Sequence, residues 1–238
     1  MMIPNHHPIN RDGLVLWLDY KNTGSVAATG TWEDYSGNGN DGTLVGDAYV
    51  DSGGLHLDGA GDYVEVADDA SLDIQVTDGI TIGAWINPNS LVASDSFTNT
   101  NPKNIINKYD NINFMHFTFR IVGEKLNFAW RNSANTSYNS KLMDSHTLNN
   151  NEWQYVTAVH SGTDVNFYIN GNLQASSVSV GSMTDVSTPN NDRLRIGVYY
   201  NDGSPQRHFT GQIDKVMIFN RALSTGEIQT MYQRTLRA

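Results

Sequence analysis

Oxygen-bearing side chains dominate the chemistry this sequence offers. The densest run is Asp34, Ser36, Asn38, Asn40 and Asp41, interleaved with Gly37, Gly39 and Gly42. Carboxylates, amides and hydroxyls so spaced suit a hard cation such as calcium, which takes about 6–8 oxygen ligands. The same string suits consecutive tight turns, with Asx side chains bonding nearby backbone and Gly37, Gly39 and Gly42 supplying positive φ. The turn reading is favoured, and no EF-hand loop is present. His6-His7 offers imidazoles to a metal, yet adjacent histidines in a terminal segment read first as solvent-facing or as a contact. With 7 His and many Ser, accidental pairings are expected, and no Ser/His/Asp set is recognisable. There is no cysteine, which excludes a thiol nucleophile, a Cys-ligated zinc site and a disulfide scaffold.

A second group of candidates comes from alternation. Met115, Phe117, Phe119 and Ile121 point one way from a strand, and His116, Thr118 and Arg120 the other. Leu126, Phe128 and Trp130 likewise oppose Asn127, Ala129 and Arg131. Val165, Phe167 and Ile169 oppose Asn166 and Tyr168. If these strands are neighbours, His116, Arg120, Asn127, Arg131, Asn166 and Tyr168 form one polar surface. It could bond sugar hydroxyls or carboxylates; its plainer reading is a solvated sheet face. Tyr109, Tyr138, Tyr199 and Tyr200 flank polar loops and could stack on sugar rings or anchor a protein neighbour. Trp17, Trp85 and Trp153 sit in strand motifs and read as core.

The elements that must position these groups are short strands. The 238 residues include 21 Gly and 24 aromatics (5 Trp, 11 Tyr, 8 Phe), with 27 Asn and 20 Asp but 5 Glu. Asn, Asp and Gly favour turns and are poor in helix interiors. Strand signals lie at Leu14–Leu18, Tyr63–Val66, Ile80–Ile86, Met115–Ile121, Leu126–Trp130, Trp153–Val159, Val165–Ile169, Leu194–Tyr200 and Ile213–Phe219. Asn170-Gly171 is a hairpin turn, and Asp41-Gly42, Asp78-Gly79 and Asp202-Gly203 mark others. Segments 89–104 and 132–150 read as long polar loops. One helix is predicted near 224–234. Ser224 and Glu227 form a capping box, Ile228, Met231, Tyr232 and Leu236 give an apolar stripe, and Arg234 and Arg237 suit its negative end.

The expected fold is therefore all-β: one two-sheet antiparallel jelly-roll sandwich over residues 13–238 with a short C-terminal helix, preceded by an arm over 1–12. The arm holds Pro4, Pro8 and Ile9 without periodicity, so its burial is expected to come from a partner chain or the sandwich itself. Net charge −10 argues against a nucleic-acid partner and an anionic membrane. Apolar runs reach about five residues against the roughly 20 needed to span a bilayer, so no membrane insertion is expected. The start has no basic region followed by an apolar segment, so no signal peptide is read.

Several blocks carry a resemblance, in order along nearly the whole chain. They are Gly13-Leu-Val-Leu-Trp-Leu-Asp19, Asp34-Tyr-Ser-Gly-Asn-Gly-Asn-Asp-Gly-Thr-Leu-Val45, Leu55-His-Leu-Asp-Gly-Ala-Gly-Asp-Tyr-Val-Glu-Val66, Ile80-Thr-Ile-Gly-Ala-Trp-Ile-Asn-Pro88, Trp153-Gln-Tyr-Val156, Val165-Asn-Phe-Tyr-Ile-Asn-Gly-Asn172 and Phe209-Thr-Gly-Gln-Ile-Asp-Lys-Val-Met-Ile-Phe-Asn-Arg-Ala-Leu-Ser224. The chain resembles the laminin-G-like members of the concanavalin A-like lectin/glucanase superfamily. Its opening, with Trp32-Glu-Asp-Tyr-Ser-Gly-Asn-Gly-Asn40, looks most like versions in tailed-phage virion proteins.

The resemblance implies a jelly roll whose members bind sugars or proteins, or serve as structural parts. Glycosidase relatives carry Glu-x-Asp-x-x-Glu on one strand, and none of Glu33, Glu65, Glu124, Glu152 or Glu227 lies in that pattern, so no enzyme is expected. It implies one structural Ca2+ held by Asp19 and Asp214 with carbonyls near Gly54. The equal alternative is that Asp19 is a strand-end turn residue and Asp214 a hydrogen-bonded strand acid. The expected role is a non-catalytic binding or structural module on a phage virion surface, such as a head-decoration protein. Capsid or other virion chains would be its partners, with a possible glycan ligand. The alternative is a secreted or cell-surface, extracellular lectin-like module that binds polysaccharide.

Overall fold

Strands with alternating apolar residues bury one face each by stacking as sheets. The computed structural model describes residues 9–22, 30–74, 79–92, 102–109, 115–131, 138–144, 147–162, 164–174, 192–201 and 203–236. Its first sheet runs β14 (Asn172–Leu173), β13 (Val165–Ile169), β12 (Gln154–His160), β7 (Ile80–Pro88), β18 (Thr210–Phe219), β5 (Gly54–Asp58) and β4 (Tyr49–Asp51), with β1 (Leu14–Leu18) also on β18. The second runs β11 (Tyr138–Leu142), β10 (Lys125–Arg131), β9 (Met115–Val122), β8 (Lys103–Tyr109), β15 (Leu194–Ile196), β6 (Tyr63–Val66), β3 (Gly42–Val45) and β2 (Thr31–Trp32). A hairpin, β16 (Tyr199–Asn201) and β17 (Ser204–Gln206), and one helix, α1 (Thr225–Arg234), complete it. The pairings are antiparallel, giving the expected jelly-roll sandwich with a short C-terminal helix.

Three expectations are corrected. Segment 132–150 contains β11, and segment 89–104 contains the start of β8. Among the described residues β11 is an edge strand pairing with β10 alone, so its backbone ladder, not apolar side chains, makes it a strand. The run Leu194–Tyr200 is two strands, broken at Gly197 with φ +86, where an added Cβ would lie 2.5 Å from Leu57. Gly42 does not supply positive φ; it sits in β3, where a Cβ would meet Val64 Cγ1 at 2.5 Å. The Asp34–Asp41 loop is turn chemistry. Asp34 accepts from the amides of Trp17, Ser36 and Asn40, and Asn40 donates to the Val15 carbonyl. His6-His7, Asp78, Asp202, Arg237 and residues 1–8 of the arm lie outside the described residues. Of the arm's described part, Asn10 Nδ2 donates to Glu227 Oε1 and Arg221 donates to the Asp12 carbonyl.

Phe117, Phe119, Phe128, Val156 and Phe167 are buried between the sheets, as expected. Trp85 is also buried, but on the outer face of the first sheet. Ile82, Ala84 and Ile86 take the inward positions of β7, so strand parity turns Trp85 outward under α1, with Trp17 and Trp153 half-buried beside it. Ile228 and Met231 of α1 close this second cluster over Tyr155, Met217 and Phe219. The capping box forms as read, and the Arg221 guanidinium beside Glu227, 2.6 Å away, holds its carboxyl down at about 2. At the other end of α1, Lys215 Nζ donates to the Thr235 carbonyl at 2.7 Å and Trp85 Nε1 donates to Thr235 Oγ1 at 3.0 Å. A buried ammonium thus meets the negative end of the helix.

His160 points inward from β12 and is 1% exposed, edge-on to Trp130 with ring centroids 5.1 Å apart. Its Nδ1 accepts the Gly162 N–H at 3.0 Å. Burial pushes the imidazole down to about 4. The unfolded ring takes its proton near the ordinary imidazole value of 6.5, so this contribution is whole above that pH. It is lost as pH falls from there toward the folded value, by up to about 1.4 kcal/mol per pH unit. Urea denaturation compared at neutral and mildly acidic pH should show that loss, and His160→Phe should flatten it.

Candidate functional site

Helix α1 covers one half of the outer face of the first sheet. The other half, at β4, β5, the start of β18 and the end of β7, carries polar groups. The registers align them. Tyr49 pairs with His56, His56 with Gln212, and Gln212 with Asn87. Residues directly opposite on neighbouring strands share a face, with Cβ atoms about 5 Å apart. The row therefore crosses four strands and floors a cleft of about 360 Å³, walled by Asp47, Asp58, Asp62, Asn89 and Asn151.

The row is bonded along its length. The Tyr49 ring, 40% exposed, stacks on His56 with centroids 4.3 Å apart and planes 9° apart. His56 Nε2 lies 2.8 Å from Asp51 Oδ1, and Gln212 Nε2 lies 3.4 Å from His56 Nδ1. Asn87 Nδ2 donates to Gln212 Oε1 at 2.9 Å. On the wall, oxygens of Asp47, Asp58 and Asp62 lie within 4.8 Å of one another. Asp62 is buried and its two oxygens accept the N–H groups of Asp47 and Asp58 at 3.0 and 3.1 Å. Burial is the main cause raising its pKa, with the Asp58 N–H opposing. Asp62 thus clamps the loop rather than facing a ligand. An aromatic face beside carboxylate and amide acceptors suits a polyhydroxylated ligand.

The polar surface expected from β9, β10 and β13 is not one surface. β13 belongs to the other sheet from β9 and β10, so Tyr168 lies under α1, its hydroxyl 3.1 Å from Thr225 Oγ1. Arg120 and Asn127 are buried, with Arg120 Nε donating to Asn127 Oδ1 at 2.9 Å. A buried guanidinium needs such acceptors, so these residues are bonded inward rather than offered. Tyr199 stacks on Tyr109 at 5.3 Å and lies under Arg207, and Arg195 sits 3.8 Å over the Tyr200 ring. Those ring faces are taken by protein groups. His116 and Arg131 fall on β9 and β10, but their side chains lie outside the described residues.

Asp19, Asp214 and Gly54 meet at a joint. One edge of β18 pairs with β5 through Ile213 and with β1 from Val216 onward. At the changeover β18 bulges, and Lys215 takes φ 48. Asp214, fully buried, accepts the Tyr20 N–H at 3.1 Å, and Asp19 accepts the Lys21 N–H at 3.0 Å. Gly54, at the start of β5, lies one step beyond the Ile213–Leu55 pair. These are hard oxygen donors of the type calcium takes. Among the described residues, the one cluster of three or more acidic or histidine side chains is Asp47, Asp58 and Asp62.

Sequence reasoning missed the cleft. Alternation of Leu55 and Leu57 does place His56 and Asp58 outward, and a tight turn pairs β4 with β5, but nothing local brings that hairpin to β18 and β7, whose segments are far off in the chain.

A laminin G family model, described as the concanavalin A-like lectin/glucanases superfamily, matches residues 58–229. No curated protein matches the chain. Among solved structures, the receptor binding domain of botulinum neurotoxin C/D mosaic serotype superposes with TM-score 0.68 at 21% identity, over 94% of this chain and 52% of that one. The binding domain of Paraclostridial Mosquitocidal Protein 1 gives TM-score 0.72 at 17% identity, over 94% and 52%. The binding domain of botulinum neurotoxin DC in complex with SialylT gives 0.69 at 17%, over 94% and 52%. The chain thus spans about half the length of these structures, and at such identities they share its fold.

The joint generates a test. Asp214→Ala removes the buried acceptor of the Tyr20 N–H and should cost about 1–3 kcal/mol. Asp214→Asn keeps an acceptor and should cost less. Thermal melts of the two variants read the difference.

Proposed function

Because the chain belongs to the concanavalin A-like lectin/glucanase superfamily, we propose that it is a non-catalytic binding module that takes a saccharide in the Tyr49–His56 cleft. The observation that carries this reading is the bonded row Tyr49, His56, Gln212 and Asn87 beneath an open cleft. A half-exposed ring can stack on the apolar face of a sugar while amides and carboxylates take its hydroxyls. The fold's other users lend support: the neighbouring structures are binding domains, one of them a receptor binding domain and another in complex with SialylT. An extracellular lectin-like setting is the favoured one. Display on a virion, with capsid chains as second partners, rests mainly on the opening block, which lies ahead of the matched residues 58–229.

Tyr49→Ala should abolish saccharide binding in a glycan-array screen while leaving the melting temperature within about 2 °C, since the ring lies on the surface. Loss of fold, or unchanged binding, would overturn the assignment of the cleft. No turnover of the bound glycan is expected.

We also propose that the joint admits one structural Ca2+ between Asp19 and Asp214. The support is two buried carboxylates beside the start of β5. An ion that binds only the folded form stabilises it, so calcium should raise the melting temperature, a chelator should lower it, and Asp214→Ala should remove the response. An unchanged melt in both directions would leave the amide hydrogen bonds as the whole of the joint.

A further inference from the structure

The bonded row has a polarity, and that polarity says what the cleft offers. Asp51 carries a carboxylate, an acceptor-only group when ionised. It faces His56 Nε2 at 2.8 Å, so with a neutral ring Nε2 donates and Nδ1 is left to accept. Gln212 must then turn its Nε2 toward the ring, which presents Oε1 to Asn87, and Asn87 must donate its Nδ2. The last group in the row is Asn87 Oδ1, buried and without a hydrogen-bond partner among the described residues. An orphaned buried acceptor is costly and calls for a donor.

The wall repeats the pattern. Asp47 and Asp58 are exposed carboxylates on the cleft, again acceptors, and among the described residues no lysine or arginine lines it. A ligand seated here must supply donors, and a ligand with its own carboxylate would bring a like charge among Asp47, Asp58 and Asp51 with no cation to receive it.

Building on the saccharide reading above, we infer that the cleft selects amine-bearing saccharides, accepts neutral ones more weakly and rejects anionic ones. The ammonium sits against Asp47 and Asp58, the open carboxylates of the wall.

Three soluble probes test this by titration calorimetry at about pH 7, where a primary amine is still mostly protonated. They are a glucosamine tetramer, its N-acetylated counterpart and sialyllactose. Physiological ionic strength screens exposed charges beyond about 8 Å, which removes the general attraction of an acidic protein for a cation. The amine tetramer should bind at least tenfold tighter than the N-acetylated one, and sialyllactose should not bind. The double variant Asp47→Asn and Asp58→Asn should bring the two tetramers level. Glu33→Gln, an exposed acid that does not line the cleft, should leave the preference intact. Both substituted aspartates are exposed, and a thermal melt confirms that the double variant is folded. Sialyllactose binding as tightly as the tetramers, or an amine preference that survives the double variant, overturns the inference and leaves the saccharide reading standing. No binding by any probe counts against both; retained binding of other glycans on the array, lost in Tyr49→Ala, would then return the failure to the inference alone.

Discussion

The longest strand, β18, must satisfy two different partners along one edge, and the rest of the molecule is arranged around that demand. It holds β7 on one side, before and after the bulge. On the other it hands over from β5 to β1 at Asp214 and Lys215. A strand cannot change neighbours without leaving backbone groups unpaired at the changeover, and buried unpaired amides are expensive. The bulge answers this with side chains: Asp214 accepts a β1-side amide, and Lys215 reaches the end of α1. The N-terminal strand, the central sheet and the C-terminal helix are therefore joined through two adjacent residues.

The same joint divides the outer face of the first sheet. Beyond it toward Phe219, the outward residues are large and apolar, and α1 covers them. Before it, Gln212 and its cross-strand neighbours are polar, and they stay open. One strand thus carries a packed half and a wet half on a single face. The division follows from the outward positions of β18 alone: Gln212 on one side of the bulge, Met217 and Phe219 on the other.

Much of the fold was legible from the chain itself. Alternation at Phe117, Phe119, Phe128 and Phe167 marked the inner faces correctly, and Ser224 with Glu227 marked the helix start to the residue. These are local signals, carried within a few positions. Trp85 is buried as read, but which face it takes is not legible, because a nearly continuous apolar strand such as β7 hides its parity. The polar surface failed for a different reason. Grouping Tyr168 with Arg120 and Asn127 assumed that their strands were neighbours, and sheet membership is a long-range fact. Arg120 and Asn127 also show that a polar outward residue need not be wet, since Arg120 donates to Asn127 and Asn127 to the Lys141 carbonyl. The cleft was unreadable for the converse reason: its four contributors are ordinary residues until the registers line them up.

That alignment separates what the molecule recognises from what holds it together. In β5 and β18 the cleft residues His56 and Gln212 alternate with Leu55, Leu57 and Ile213, which face the core. Because parity isolates the two sets, outward positions can change identity while the inward ones keep the sheet folded. A slip of one residue in any of the four strands would scramble both together. The architecture thus acts as a fixed typeface with exchangeable letters, in which a new ligand preference needs substitutions on one face and no new fold.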